Sequence, residues 1–191
     1  MKIMIVFPPL SGSGFPMIRQ ARQFQWVSIP SHIFPVLLAC AATLLKEHGH
    51  KVIWNDCLLD GIGYDEFLSS VKEEALDIIV IETKAPVLKR HWQVIDDLKR
   101  IVNNPKCKVV LMGDHVSAFP EESLQHCLVD YIITGGDYDL SLLHLANYLD
   151  GKEELPGGVW FKKDGEMKNS GAPYLTFDLN KLPFIDRDLT Q

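Results

Sequence analysis

Short apolar runs that alternate with helical segments constrain the fold of this chain most strongly. Five runs have the length of a buried β-strand, and each precedes a segment that is predicted to be helical. The strands are predicted at Lys2–Phe7, Lys51–Asn55, Asp77–Glu82, Val109–Met112 and Tyr131–Thr134, and the helices at Phe34–His48, Tyr64–Ala75, Leu88–Val102, Glu121–Cys127 and Leu140–Leu149. This order predicts an α/β fold, a doubly wound parallel five-stranded sheet of the flavodoxin-like or Rossmann-like kind, over residues 1–150.

Residues 151–191 break this pattern and are expected to form an appendage, a small hairpin followed by a linker. The hairpin is predicted at Val159–Lys163 and Glu166–Lys168, because the Asp-Gly pair between them favours a tight turn. Thr176–Gln191 is polar and has little periodicity. We therefore expect it to lead to a further domain that this chain lacks.

Charge and composition argue against several classes of function. The net charge is −6 at pH 7 and the pI is near 5.6, which disfavours a general nucleic-acid binder. No apolar stretch approaches the length of a membrane span, and Lys2–Phe7 is too short for a signal peptide. The four cysteines are scattered without a close pair, which is typical of a reduced, cytoplasmic protein and excludes a local zinc or iron–sulfur motif.

The segment Leu10–Ser31 is long for a connection inside a compact domain. It contains several glycines and prolines, but also Phe15, Phe24 and Trp26, which are too many aromatic residues for a plain linker. We expect it to form either a flap over a site or a surface for another domain.

The segment Cys107–Glu122 indicates where a site would lie. Its buried strand stops at Gly113, the polar residues Asp114 and His115 follow, and Pro120 opens the next helix. Ligands of open α/β sheets bind at the carboxyl ends of the strands, and a glycine there lets the backbone approach a ligand. An ordinary strand-to-helix loop has the same pattern, so the other turns must distinguish the two.

Two ligand classes that share this fold are disfavoured by those turns. A phosphate-accepting receiver domain needs acidic residues after the first strand and an aspartate after the third, where this chain has Pro8-Pro9 and Glu82-Thr83. A flavin mononucleotide site needs a phosphate loop after the first strand, and proline lacks the N–H donor for it. The Ser-Gly-Ser-Gly stretch at residues 11–14 opens no helix and is a weak phosphate signal.

The turn after the second strand reads Asp56-x-Leu58-x-x-Gly61. It resembles the Asp-x-His-x-x-Gly motif of cobalamin-binding domains with this fold, with Leu58 in place of the histidine that binds cobalt. Leucine cannot ligate a metal. The resemblance therefore implies cobalamin bound base-off and His-off, with no protein ligand to cobalt.

The remaining turns are similar, in chain order, to those of the N-terminal cobalamin-binding domain of cobalamin-dependent radical S-adenosylmethionine enzymes. The matching stretches are Pro8-Pro9, Phe34–Ala39, Met112–His115 with Pro120-Glu121, Val129–Tyr131 with Gly135–Asp137, and the linker-like Leu182–Leu189. Two positions depart from the pattern, since Met112 replaces a glycine and Gly136 replaces an acidic residue. The Cys-x-x-x-Cys-x-x-Cys motif of the radical domain is absent, so we expect S-adenosylmethionine and a 4Fe-4S cluster to bind in a missing C-terminal radical domain.

The resemblance implies a set of cofactor-binding residues, and no catalytic or metal-ligating residue in this chain. The set is Pro8, Pro9, Leu10, Asp56, Leu58, Gly61, Glu82, Thr83, Lys84, Gly113, Asp114, His115, Gly135, Gly136 and Asp137. Those expected along the nucleotide tail of cobalamin are Thr83, Lys84, Gly113, Asp114, His115, Gly135 and Gly136, and those near the corrin are Pro8, Pro9 and Leu10.

Four residues keep an alternative interpretation. His115 is better explained by a hydrogen bond to backbone or cofactor than by a bond to cobalt, and His32 could also face the ligand. Lys84 could meet a phosphate or ribose, or be solvated. Leu58 could face the cofactor or belong to the core.

The resemblance implies a cytoplasmic parent enzyme, a methyltransferase or a cyclase, of which this fragment alone is inactive. Two other functions are compatible with the same fold. One is a non-catalytic doubly wound module that binds another nucleotide or a protein partner, and the other is a flavin-binding electron carrier. A visible spectrum distinguishes the three, because cobalamin and flavin absorb differently and an empty module shows neither.

Overall fold

The computed structural model describes residues 1–12, 15–17, 25–135, 137–173, 175 and 177–190. The strands are β1 (Lys2–Phe7), β2 (Phe15–Met17), β3 (Gln25–Val27), β4 (Lys51–Asp56), β5 (Ile78–Glu82), β6 (Lys108–Met112), β7 (Tyr131–Ile133), β8 (Val159–Lys163) and β9 (Glu166–Asn169). The helices are α1 (Val36–Glu47), α2 (Cys57–Asp60), α3 (Tyr64–Glu73), α4 (Leu88–Ile101), α5 (Asp114–Ala118), α6 (Pro120–His126) and α7 (Tyr138–Leu149), with 3-10 turns at Ala85–Val87 and Leu179–Lys181. Phe24, Gly136 and part of the Ser-Gly-Ser-Gly stretch lie outside the described residues.

The main sheet has the strand order β4-β1-β5-β6-β7-β8-β9. Its first five strands pair in parallel, and β1 lies between β4 and β5. Counting only these parallel strands along the chain, the order is 2-1-3-4-5, which is that of the flavodoxin-like fold. The predicted fold class is confirmed, and each predicted strand and helix is present with bounds shifted by at most two residues.

The predicted hairpin is present, but it continues the main sheet. Strand β8 pairs antiparallel with β7, with Val159 opposite Ile133, and β9 pairs with β8. Asp164 and Gly165 both have positive φ, 55° and 82°, as the predicted tight turn requires. The sheet therefore has seven strands, five parallel and two antiparallel.

Side chains alternate across the sheet and bury apolar residues on both faces. Ile5 and Phe7 of β1 pack under α1 and α7, whereas Met4 and Val6 pack under α3 and α4. We call these two sides the α1/α7 face and the α3/α4 face. Such two-sided burial explains why β1, β5 and β6 are almost continuously apolar.

Three segments are more ordered than the sequence predicts. Residues 114–118 after β6, expected to be a polar turn, form the short helix α5. In Leu10–Ser31, strands β2 and β3 pair antiparallel, with Phe15 opposite Val27. Residues 177–190 do not run free but pack against the α1/α7 face through Leu182 and Leu189.

Asp186 anchors this last segment to α1. Its backbone N–H donates to Thr43 Oγ1 at 3.0 Å, and its carboxylate pairs with Lys46. The guanidinium of Arg187 lies over the ring of Phe34, 4.1 Å from its centroid, just before α1 begins. Residues 177–190 are therefore docked against the N-terminal half of the chain.

None of the helices in the described part of the chain is long and apolar enough to cross a membrane.

Candidate functional site

The loops that follow the five parallel strands meet at one end of the sheet, the carboxyl edge. The chain leaves β1 toward β4 on one side and reaches β5 on the other. This divergence is the topological switch point at which open α/β sheets bind ligands. The predicted residues after β1, β5 and β6 therefore lie on neighbouring strands, while those after β4 and β7 flank them.

A buried ion pair occupies the end of β5, the central parallel strand. The Lys84 ammonium donates to Glu82 Oε1 at 2.7 Å, and each side chain is only 9% exposed. Glu82 is in register with Met112, which packs on the α1/α7 face, so the pair lies on that side of the sheet. Burying two charges is expensive unless each is well paired, and here each charge is the partner of the other.

The ends of β5 and β6 are in direct contact. Gly113 has a φ of +137°, and a Cβ at this position would lie 2.2 Å from the carbonyl oxygen of Thr83. The backbone N–H of Thr83 in turn donates to the carbonyl of Met112 at 2.8 Å. From the sequence, we expect Gly113 to leave room for a ligand. In the structure, the place of its missing side chain is taken by the Thr83 backbone at the end of β5, and this contact alone requires glycine.

The Asp56-x-Leu58-x-x-Gly61 motif folds as the short helix α2 with a cap at each end. The Asp56 carboxylate accepts from the Leu59 N–H at 3.0 Å, and Gly61 closes the helix with a φ of +67°. Leu58 is half-buried and packs against the apolar cluster of the α1/α7 face. The aspartate and the glycine of the motif thus cap the helix that carries Leu58.

The Cys57 thiol beside Leu58 is buried, and burial together with Asp56 raises its pKa to about 12. It therefore stays protonated and unreactive at neutral pH.

Trp26 of β3 lies against the loop after β1. Pro8 is buried, and Pro9 and Leu10 are half-buried. A Cβ on Gly12 would lie 2.1 Å from the Trp26 ring, so the indole packs directly on this loop. The two interpretations of this segment, a flap over the site or a surface for another domain, stay predictions, and residues 13–14 and 18–24 lie outside the described part.

The His115 side chain contacts two residues that follow it in the chain, Glu122 and Phe119. Its Nε2 lies 2.7 Å from Glu122 Oε2 of α6, and its ring centroid lies 5.4 Å from that of Phe119. Asp114, the first residue of α5, is exposed, and so is His32. The sequence predicts a hydrogen bond from His115 to backbone or cofactor, whereas its partner in the structure is the Glu122 carboxylate.

A hydrogen bond between α5 and α7, which the sequence does not predict, lies at the carboxyl edge beside β6 and β7. The Tyr138 hydroxyl of α7 lies 2.8 Å from Ser117 Oγ of α5, and Tyr138 is buried. Burial raises the pKa of Tyr138, and the carboxylates of Asp114 and Glu82 raise it further. The phenol therefore remains neutral and lies within electrostatic reach of the Glu82–Lys84 pair.

The end of β7 is occupied by protein. Gly135 has a φ of +104°, and a Cβ there would lie 3.2 Å from Pro173, which follows the hairpin. Asp137 is half-buried at the N-cap of α7, without a side-chain capping bond. These two residues thus lie beside the hairpin connection, and Gly136 lies outside the described residues.

Aromatic side chains line the α1/α7 face below the edge. The rings of Phe7 and Trp54 meet edge-on with centroids 5.4 Å apart, and Leu58 and Met112 belong to the same apolar cluster. The alternation of side chains along β1 and β4 is the sequence signal that could have placed Phe7 and Trp54 on this face.

A cleft of about 440 Å³ lies on the flank of the molecule, between the start of α6 and Trp160 of β8. It adjoins His115 through Phe119 and Glu122 but is lined by none of the predicted site residues. Among the described residues, no group of three or more His, Cys, Asp or Glu side chains could hold a metal ion.

No family model matches the sequence. The chain is 25% identical over 192 residues to the uncharacterized methyltransferase PH0819 of Pyrococcus horikoshii, and the alignment covers 99% of this chain and 39% of that protein.

Two solved enzymes have the same fold. One is the radical S-adenosylmethionine methyltransferase TsrM from Kitasatospora setae with cobalamin and a 4Fe-4S cluster bound, at a TM-score of 0.66 and 16% identity over 95% of this chain and 30% of that one. The other is the cobalamin-dependent S-adenosylmethionine radical enzyme OxsB with aqua-cobalamin bound, at a TM-score of 0.69 and 17% identity over 91% of this chain and 22% of that one.

This chain shares the fold of a segment of both enzymes. The fold expected from the resemblance of the turns is confirmed, since both enzymes that share it were solved with cobalamin bound. The chain spans 39% of the curated relative and less than a third of each solved enzyme.

Proposed function

We propose that this chain is the cobalamin-binding domain of a radical S-adenosylmethionine enzyme, a methyltransferase or a related enzyme, and that it binds cobalamin base-off and His-off. The observation that carries the proposal is the fold shared with two enzymes whose structures hold cobalamin, over 91–95% of this chain. S-adenosylmethionine and the 4Fe-4S cluster would bind in a C-terminal radical domain, the partner of this one in the same polypeptide.

The residues at the end of β5 suit the nucleotide tail of cobalamin, which carries a phosphodiester. Lys84 supplies a buried ammonium on the α1/α7 face, and a buried cation attracts a phosphate more strongly than an exposed one. On the same face, the half-buried Trp54, against which the buried Phe7 packs edge-on, offers an aromatic surface of the kind that receives a benzimidazole.

Leu58 suits a cobalt without a protein ligand. It lies at the position where related motifs place a histidine, its side chain is half-buried on the α1/α7 face, and it offers no donor atom. When bound, cobalamin supplies a cobalt centre that can carry a methyl group. Leu58 would keep water and nitrogen donors from the lower side of the corrin, and the pair at β5 would hold the displaced tail.

The rim of the carboxyl edge suits a large apolar ligand or a second domain. Several bulky apolar side chains around the edge are exposed, among them Phe15, Ile29, Val36, Leu59 and Phe119. Exposed apolar side chains in the loops at one end of a domain suit an interaction surface. This arrangement supports a corrin held between this domain and the rest of the enzyme.

Equilibrium dialysis against hydroxocobalamin tests the proposal. We expect saturable binding with one cobalamin per chain, and weaker binding of cobinamide, the analogue that lacks the nucleotide tail. Flavin mononucleotide serves as the ligand control and is expected not to bind. Absence of saturable cobalamin binding by a chain with an intact circular dichroism spectrum would contradict the proposal.

A further inference from the structure

A buried histidine on α4 contacts the candidate site from its other face. His91 is 1% exposed, and its Nδ1 lies 2.9 Å from the Thr83 hydroxyl oxygen. Its second ring nitrogen, Nε2, is buried without a hydrogen-bond partner among the described residues. Whichever nitrogen carries the proton, the imidazole is only half satisfied.

His91 is an unusual residue for this position. Most of the residues that α4 buries are apolar, namely Leu88, Trp92, Val94, Ile95 and Leu98. Burial lowers the pKa of His91 to about 4, with a further contribution from Arg90, so the ring is neutral at physiological pH. A half-satisfied buried polar group stabilises a core less than an apolar side chain of the same shape, so packing alone does not explain it.

The bond from His91 fixes the point at which β5 ends. Thr83 is held at its N–H by the Met112 carbonyl, at its carbonyl by close packing against Gly113, and at its side chain by His91. Only the last of these three contacts is made by a side chain. Removing it therefore loosens the strand end without deleting the backbone contacts.

Lys84 is the next residue, so its backbone position depends on that of Thr83. Its backbone is extended, with φ −127° and ψ 151°, and its side chain returns to Glu82 on the α1/α7 face. Because Thr83 faces α4 while Glu82 and Lys84 face the opposite side, His91 acts on the ion pair through the backbone rather than by contact.

We propose that His91 is a positioning residue for the candidate site: by holding the Thr83 hydroxyl it sets the direction in which Lys84 leaves β5 and presets its ammonium for an anionic ligand group. The inference rests on the proposed function where it names that group, the phosphodiester of the nucleotide tail. Preorganisation of this kind improves binding because the ligand does not have to order the side chain.

The test replaces both partners by apolar residues of similar shape in the double variant His91→Leu/Thr83→Val. We expect its stability to urea to equal or exceed that of the wild type, because no polar group is left unpaired. We expect hydroxocobalamin affinity to fall by about tenfold, the lower end of what loss of an orienting outer partner costs. Cobinamide affinity should stay unchanged, since that ligand has no tail.

A second readout needs no cobalamin. In the ligand-free double variant, Lys84 should react faster with an amine-modifying reagent than in the wild type, as followed by mass spectrometry, because its burial depends on the fixed strand end. Ser123→Ala is the matched control, since it removes another buried hydrogen bond to α4, from Trp92 Nε1 at 2.8 Å, away from the site. It should lower stability and leave both Lys84 reactivity and affinity unchanged.

Two results would overturn the inference: wild-type Lys84 reactivity in the double variant, or a parallel loss of stability and of affinity for both ligands. If the wild-type chain bound no cobalamin while Lys84 became more reactive in the double variant, the positioning role would stand and the proposed ligand would be wrong.

Discussion

Removing the Lys84 ammonium tests the chemistry of the carboxyl edge. The matched change is the double variant Glu82→Gln/Lys84→Met, because Lys84→Met alone leaves the Glu82 carboxylate buried without its partner. Breaking a buried pair in that way costs about 3 kcal/mol or more, whereas replacing both charges by neutral groups of similar volume is close to neutral. With both side chains 9% exposed, solvent does little to soften the difference between the two variants.

The expected loss of binding follows from the kind of contact removed. A hydrogen bond to a charged group contributes roughly 1.5–3 kcal/mol, and 1.4 kcal/mol corresponds to about a factor of ten in affinity. We therefore expect hydroxocobalamin to bind the double variant roughly 10–150-fold more weakly than the wild type. Cobinamide should bind both proteins equally, because it lacks the nucleotide tail and so has no phosphodiester that could contact Lys84.

The assay is equilibrium dialysis of both ligands, with urea unfolding as the measure of stability. Lys89→Met, on the exposed side of α4, controls for a general loss of positive charge and should change neither quantity. Wild-type cobalamin affinity in a folded double variant would show that Lys84 does not meet the tail. An equal loss for cobinamide would show that the variant perturbs the corrin side of the site instead.

Three further predictions concern the surrounding residues. Gly113→Ala should destabilise the chain by about 3 kcal/mol in urea unfolding, because it combines a positive φ with a clash against the Thr83 carbonyl, whereas Gly61→Ala, with open space around it, should cost about 1 kcal/mol. Asp186→Ala should free the docked segment, seen as faster proteolytic cleavage after residue 177 with the rest of the domain resistant; unchanged cleavage would mean that Asp186 does not anchor it. Leu58→His should add a nitrogen ligand to the cobalt of bound cob(II)alamin, and an unchanged electron paramagnetic resonance spectrum would place residue 58 away from the corrin.

The fold was predictable from the sequence because the central parallel strands β1, β5 and β6 are buried on both faces, and because at least one helix lies between each parallel strand and the next. The place of the hairpin was not, since an Asp-Gly turn specifies that Val159–Lys163 pairs with its successor but not which sheet edge it joins. The docking of residues 177–190 was missed for a related reason. It is held by Asp186 and by two separate apolar side chains, Leu182 and Leu189, and contacts that are spaced so irregularly leave no periodic pattern in the sequence.

The candidate site was predictable only as a list of positions. Glu82 and Lys84 were both expected at the edge, but their pairing depends on the two-residue alternation at a strand end and on burial that the sequence does not give. Gly113 was expected to let the backbone approach a ligand, while the structure explains the glycine by its close contact with Thr83. His91 was not predicted to belong to the site. The signal that could have identified it is a histidine among the apolar residues that α4 buries.

Electron paramagnetic resonance of the cob(II)alamin complex tests the central claim most directly. Free cob(II)alamin at neutral pH carries its own benzimidazole on cobalt, and that nitrogen splits the signal. We predict that adding the chain removes the splitting, because the tail leaves the metal and Leu58 supplies no replacement. Nitrogen splitting that persists in the bound complex would contradict it, and loss of that splitting in His115→Ala would identify the ligand.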